Sequence, residues 1–348
     1  MHKFLIDAEW KNVIIKHLRV DLSSRSDDFG KFSIRKLGSI LKIILQVWAE
    51  RIMGRIDILY YPPSGPVNKK TFYKDMSLLI FTRFLASKTI FHFHADKFFE
   101  LQKLLNKFEL LFAKLIYGHP GLCILILEPQ VGDVQWLKPA KTVVIPNGIE
   151  DKFDIKRINR NDSEFNILYL GLLVPYKGIE YAVYTAKILR DRNIRFKWTF
   201  VGGWSSAEFR KLIIGLIEKF DLNDQMIFAG EKINDEKWEY FYTADVLCLP
   251  TYTDLMPLCI LEGMMMSLPV VTTSLRTLPY IVDDKINGLL SPPKDPEKMA
   301  NNIEFLYKNK KIAMEMGNAG RLKFEKCYSL GIHIDNMQKV IYQESGIL

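Results

Sequence analysis

The sequence predicts an α/β protein built from two doubly wound parallel-sheet domains, and three observations carry that expectation. Its 348 residues exceed what one hydrophobic core organises. The composition, 48% hydrophobic and 25% charged, is that of a globular chain and excludes disordered, collagenous and low-complexity classes. Short apolar runs also alternate with amphipathic segments, as expected of strands buried on both faces and joined by crossover helices. The longest apolar stretches, such as Leu122 to Leu127, fall far short of the roughly twenty residues needed to cross a bilayer. Asp7 and Glu9 interrupt what would be the apolar part of a signal peptide, so export is not expected. Cys123, Cys248, Cys259 and Cys327 lack Cys-x-x-Cys spacing and read as reduced core thiols of a cytosolic protein.

The alternation is clearest in the second half. Phe165–Leu170, Phe196–Val201, Met226–Ala229, Val246–Leu249 and Val270–Thr273 read as strands; helices are expected at Ile179–Leu189, Ala207–Phe220, Asp235–Tyr242 and Leu258–Met266. In the first half, Ile56–Tyr61, Lys88–His94, Leu122–Leu127 and Thr142–Ile145 repeat the grammar less cleanly. Pro146-Asn147-Gly148 is a turn signal, and the polar stretch to Glu164 reads as a linker. The expected domains are 1–150 and 151–330, with a terminal helix over 331–348 packing back on the first.

Charge is uneven. Residues 1–150 hold 22 Lys+Arg against 14 Asp+Glu, which accounts for the whole-chain net charge of +8. Such a half attracts an anionic surface or substrate, with nucleic acid, acidic lipid and lipid-linked phosphate as candidates. Two basic amphipathic helices are expected there. Lys97–Tyr117 would place Leu101, Leu104, Leu105, Phe108, Leu111, Phe112 and Leu115 on one stripe, with Lys103, Lys107 and Lys114 off it. Lys31–Trp48 carries Lys31, Arg35, Lys36 and Lys42 around a second stripe. Each either lies on a membrane or packs its stripe on the sheet and leaves its lysines solvated.

Between Asp254 and Arg276 the only charged residue is Glu262, in an otherwise apolar helix. Burying it unpaired costs several kcal/mol, on the order of what a buried charge demands, so it needs a partner. Pro257 suits the first helical position, which would free the amides of Leu258 and Cys259 at the sheet's carboxyl edge, where helix N-termini attract phosphate. Asp254 lies in the preceding loop. The plainer alternative makes Asp254 a cap and Glu262 one half of an interdomain salt bridge. In Gly171–Gly178 a strand ends at glycine and Lys177 precedes the next helix, where it either binds phosphate or is merely solvated. His92, His94 and Asp96 alternate on one face of an extended segment, a spacing compatible with a metal, although core His92 with cleft-facing His94 is preferred.

These pieces together resemble the donor-binding domain of family-4 retaining glycosyltransferases of the two-Rossmann, GT-B architecture. The likeness covers residues 165–330 and rests on Gly171, Lys177-Gly178, Asp254 and Glu262 at Glu-x7-Glu spacing, and Pro269-Val270-Val271. It implies two Rossmann-like domains around a cleft. By it Lys177 neutralises the donor diphosphate, Asp254 hydrogen-bonds donor-sugar hydroxyls, Glu262 holds the ribose, and the Leu258 and Cys259 amides touch phosphate. Leu172 stands where the family carries a phosphate-binding arginine, and Asp254 replaces the longer Glu. The segments DILYYPPSG, FYKD and FHFHADKF resemble the acceptor domain of polysaccharide-cluster members, which puts His94 at the donor sugar near the reacting carbon. The family opens with a strand, a glycine loop and a helix; here the chain is expected to begin at that helix, Glu9–Lys16, with Leu18–Leu22 as second strand.

The resemblance therefore implies transfer of a sugar from a nucleotide donor to a glycan or lipid-linked acceptor, with retention of configuration, in cell-surface polysaccharide synthesis. No metal, no cofactor beyond the donor and no nucleic acid are expected, and the basic first half with its two amphipathic helices leads to the expectation of a cytoplasmic place at an anionic inner membrane face. The competing readings are a catalytically impaired nucleotide-sugar-binding or assembly protein, and a metal-dependent hydrolase using His92, His94 and Asp96.

Overall fold

The computed structural model describes residues 2–18, 34–54, 56–154, 164–232 and 234–346. Of the expected strand Leu18–Leu22 all but Leu18 lies outside these residues, as does Lys31. The chain divides into two compact units, Met1–Pro146 with His333–Leu348, and Asn147–Ile332.

In the first unit, α1 (His2–Asp7), α2 (Ile34–Met53), β1 (Ile56–Tyr61), α3 (Lys69–Thr82), β2 (Ala86–Phe93), α4 (Leu101–Leu104), α5 (Lys107–Tyr117), β3 (Leu122–Leu125), α6 (Val131–Val134) and β4 (Thr142–Val144) follow in order. Among the described residues the sheet is four-stranded and parallel, ordered β1-β2-β3-β4. Strand alternation divides its side chains between two cores. Phe91, Phe93, Cys123 and Leu125 meet Phe72 and Leu79 of α3 and Ala113, Ile116 and Tyr117 of α5. On the opposite face Ile90, Leu122 and Ile124 meet Leu5 of α1 and Met337 and Val340 of the chain's last helix. A buried carboxylate ties the first face together: Asp75 accepts from Tyr61 Oη, Tyr117 Oη, Ser64 N and Ser64 Oγ, all at 2.7–2.8 Å. Burial, the largest influence, holds its carboxyl above the usual range against the lowering effect of these bonds.

Two expectations are corrected here. Glu9–Lys16 is not helical; the helix is His2–Asp7. Asn12 is left-handed at φ 58°, the amide of Lys11 donates to Tyr342 Oη, and the following Val13-Ile14-Ile15 run is β-branched, which disfavours helix. Lys97–Tyr117 is not one helix either. Asn106 accepts from the amide of Glu109 at 2.8 Å, and the Glu109 carboxylate accepts from the amide of Asn106 at 2.7 Å. This capping box starts a new helix at Lys107 and resets the phase. Its inward face is Glu109, Ala113, Ile116 and Tyr117, so Leu104, Phe108, Leu111 and Leu115 of the expected core stripe are exposed.

The second unit contains β5 (Phe165–Leu170), α7 (Ile179–Asp191), β6 (Phe196–Val201), α8 (Ala207–Lys219), β7 (Met226–Gly230), α9 (Trp238–Thr243), β8 (Val246–Leu249), α10 (Leu258–Met265), β9 (Val270–Thr273), β10 (Gly288–Ser291), α11 (Pro296–Lys308) and α12 (Lys310–Cys327), after which α13 (Leu330–Ser345) returns to the first unit. The described strands form one parallel sheet ordered β10-β9-β8-β5-β6-β7. Every residue of β8 and β9 is buried, as expected of central strands covered by helices on both faces. With β5 counted first, this is the 3-2-1-4-5-6 order of the doubly wound fold, and the order reverses between β5 and β8.

Glu109 supplies a pH test of the α5 cap. Lys69 Nζ, Tyr73 Oη and the Asn106 amide all donate to it and pull its carboxyl from 4.5 down to about 2. A depressed folded-state value means that this stabilisation is complete above about pH 4.5 and fades as pH falls towards 2. Urea unfolding between pH 2 and 6 should therefore show a shallower acid slope for Glu109→Gln than for the native chain; identical slopes would contradict the assignment.

Candidate functional site

The reversal of strand order sends the connections after β5 and β8 to opposite sides, which opens a crevice at the carboxyl edge of these two strands. Both loops marked by the sequence end there. Gly171, at φ 149°, closes β5, and a Cβ on Gly202 at the end of β6 would come within 1.9 Å of the Gly171 carbonyl oxygen. Gly178 is left-handed at φ 78°, and a Cβ on it would lie 2.0 Å from Pro250 O. Only glycine lets the β5 loop settle this closely on the β8 loop. The amide of Tyr252 then donates to Tyr176 O at 3.0 Å, clamping the loops side by side.

That clamp brings Lys177 to Asp254. The ammonium donates to both carboxylate oxygens, at 2.7 and 2.9 Å, and the two side chains are mostly buried. Asp254 does not cap the following helix; its backbone carbonyl accepts from Thr277 Oγ1 at 2.9 Å. Pro257 is the N-cap of α10, and Leu258, not Pro257, is its first helical residue. The expectation is corrected by one position, because Pro257 at ψ 121° is extended. The amides of Leu258 and Cys259 still occupy the first turn, and the Ile260 amide donates back to Pro257 O at 3.1 Å. The Cys259 thiol is pushed up to about 12, first by burial and then by the Glu262 charge, with a smaller upward influence from Asp254 and a smaller downward one from Lys177.

Glu262, 6% exposed, lies one turn further on. Its partner is Lys237, whose ammonium donates to Oε1 and also sits 4.4 Å from the centroid of the Trp238 ring. The pair lies within one unit, so the interdomain salt bridge is not what forms. Glu262 Oε2 is buried and accepts no hydrogen bond among the described residues. The sequence signalled that a partner was required but not which one, because Lys237 sits in a polar run whose other charges are just as plausible. Leu172, next to Gly171, is 51% exposed and fills no core position.

His94 is placed elsewhere, in the first unit, directly after the carboxyl end of β2, and half-buried. His92 is fully buried, with Nδ1 against Tyr60 Oη, and its ring lies 4.1 Å from that of His94. Among the described residues no group of three or more His, Cys, Asp or Glu is arranged to hold a metal ion.

The Lys237–Glu262 pair can be tested alone. Lys237→Met strands a buried carboxylate and should cost roughly 1–3 kcal/mol, less than a fully buried pair because Lys237 is partly solvated. Adding Glu262→Gln should recover most of the loss in urea unfolding. Equal cost in the single and double variants would contradict the pairing.

Comparison with known proteins fits this geometry. The pattern of the family described as "Glycosyl transferases group 1" matches residues 150–323. The chain is 25% identical over 212 residues to the amylovoran biosynthesis glycosyltransferase AmsK of Erwinia amylovora, covering 58% of this chain and 51% of that protein. It spans about half the length of the curated relatives it matches. Among solved structures it resembles sucrose-phosphate synthase from Thermosynechococcus elongatus, with a TM-score of 0.74 and 20% identity over 95% of this chain and 83% of that one. It also resembles Anabaena HepE in complex with UDP-glucose, with a TM-score of 0.68 and 15% identity over 88% and 82%. At such identities these structures establish the shared GT-B fold. With the family pattern spanning half of its residues, the chain belongs to the group 1 glycosyl transferases.

Proposed function

We propose that the protein transfers a sugar from a nucleoside diphosphate donor to a glycan or lipid-linked acceptor, retaining the configuration of the sugar carbon, as a family-4 enzyme. The observation that carries this reading is the half-paired Glu262. One of its oxygens holds Lys237, while the other is a buried acceptor without a donor among the described residues, suited to a ribose hydroxyl. The Lys177–Asp254 pair lies in the neighbouring loops. An incoming diphosphate competes with Asp254 for the Lys177 ammonium, which frees the Asp254 carboxylate to accept from sugar hydroxyls.

In this reading Lys177 and the Leu258 and Cys259 amides meet the charge that grows on the departing diphosphate. A diphosphate oxygen then takes the acceptor's proton on the same face, so no protein nucleophile, metal or further cofactor is invoked. His94 is the first unit's contribution and serves the donor sugar. The likenesses to AmsK and to HepE with UDP-glucose support a nucleotide-sugar donor and a role in polysaccharide synthesis. The reading places the protein in the cytoplasm, at the anionic inner face of the cell membrane, with no nucleic acid partner.

A second reading, donor binding with impaired transfer, has its own support. Leu172 occupies the strand end where a guanidinium would stabilise the diphosphate, and losing such a donor typically costs about 3–4 kcal/mol of transition-state stabilisation. Incubation with a panel of labelled nucleotide sugars, scoring donor hydrolysis and transfer, separates the two. Turnover should nearly vanish in Lys177→Ala and rise in Leu172→Arg, which exposure makes structurally tolerable. Turnover indifferent to both changes would contradict the site, and binding without turnover would favour the second reading.

Glu262→Gln keeps the shape and removes the charge. Calorimetry should show nucleotide affinity weakened by about 1.5–3 kcal/mol, the range for charge-assisted hydrogen bonds. Unchanged affinity with a lower melting temperature would make Glu262 purely structural.

A further inference from the structure

The capping box that splits the basic helix leaves an apolar face without a core to cover it, and α2 does the same. Leu41, Leu45, Trp48 and Ile52 are 45–80% exposed and, at about 100° per residue, fall within an arc of roughly 60°. Lys42 lies on one flank of this stripe and Arg51 on the other, both exposed. The one acid of α2, Glu50, lies on the opposite side and pairs with Lys16.

On α5 the exposed arc holds Phe108, Leu111 and Leu115, 49–69% exposed, with Lys107 and Lys114 along its edge. Its one acid, Glu109, points inward to Lys69. Both helices pack against α3. Trp48 Nε1 donates to Phe81 O at 3.0 Å at the end of α3, where Phe81 and Phe84 are also more than half exposed.

We infer that the outward face of α2 and α5 docks on an anionic lipid bilayer, with Trp48 and Phe108 entering the interface and Lys42, Arg51, Lys107 and Lys114 meeting lipid phosphates. Charge complementarity selects this occupant. The two exposed arcs carry cations and no acid, so apolar side chains enter the acyl boundary while their flanking ammonium and guanidinium groups stay at headgroup level. A second copy seated through the same face would set these cations against one another. The inference rests on the proposed function only in placing the acceptor at a membrane.

The test uses the full chain, with no nucleotide or sugar, in flotation with vesicles of phosphatidylcholine alone or with phosphatidylglycerol. Binding should require the anionic lipid and weaken with salt. A Leu45→Ser, Phe108→Ser, Leu111→Ser triple variant should lose at least tenfold in partitioning with its melting curve unchanged, and so should Lys42→Gln, Lys107→Gln, Lys114→Gln. Quenching of tryptophan by brominated lipid should fall in Trp48→Phe. Equal recovery in the soluble fraction with both vesicle types would overturn the inference. So would a native dimer that the serine variant dissolves, or lipid binding that survives both triple variants. Loss of donor turnover with lipid binding intact would count against the proposed function and leave the docking face standing.

Discussion

A carboxylate in an apolar helix has to be paired, and the organisation of the second unit follows from where that pair forms. Glu262 lies on α10 between fully buried neighbours, and the helix cannot shift to expose it. A Cβ on Gly263 would already lie 2.7 Å from Leu247 of β8, and one on Gly317 of α12 would lie 2.1 Å from Ser267 O just beyond α10. The helix is pressed from both sides. Lys237 therefore has to come to Glu262, and it does so at the start of α9, where the Trp238 ring backs its ammonium. Among the described residues the pairing is incomplete by one oxygen, and the proposed reaction gives that buried acceptor a ligand hydroxyl.

The neighbouring Lys177–Asp254 pair follows a different logic. Left-handed Gly178 brings the β5 loop onto the β8 loop, where the close approach to Pro250 O leaves no room for a side chain, and Gly202 after β6 is held just as tightly against the Gly171 carbonyl. Lys177 is thereby held where strand order reverses and neutralised by a carboxylate rather than by solvent. In the proposed reaction this pair keeps the cation positioned until a more highly charged diphosphate replaces the carboxylate. Leu172, beside Gly171 at the end of β5, brings no charge to this edge.

Most of the second unit was legible in the sequence. Phe165–Leu170, Phe196–Val201, Val246–Leu249 and Val270–Thr273 form strands with those bounds, because continuous apolar runs flanked by turn signals have few alternatives. Four-residue β10 was not singled out, being short and at the sheet edge. Lys237 was invisible because its pairing is a long-range contact. In the first unit a left-handed Asn12 and a β-branched run end one expected helix, and local capping divides another. Asn106 and Glu109 have the spacing of a capping box, yet the apolar stripe running through them suggested a single core helix. No spacing in the sequence joins Asp75 to Tyr61, Ser64 and Tyr117, and only the fold shows them converging on it.

In the proposed reaction Lys177 exchanges Asp254 for a donor diphosphate while Glu262 Oε2 takes the ribose. A crystal structure with a nucleoside diphosphate addresses both contacts at once. Lys177 Nζ should lie on a phosphate oxygen, with Asp254 released from it, and a ribose hydroxyl should donate to Glu262 Oε2 with Lys237 still on Oε1. A nucleotide bound away from the β5 and β8 loops, or bound there with the Lys177–Asp254 pair intact and Glu262 Oε2 untouched, would contradict it.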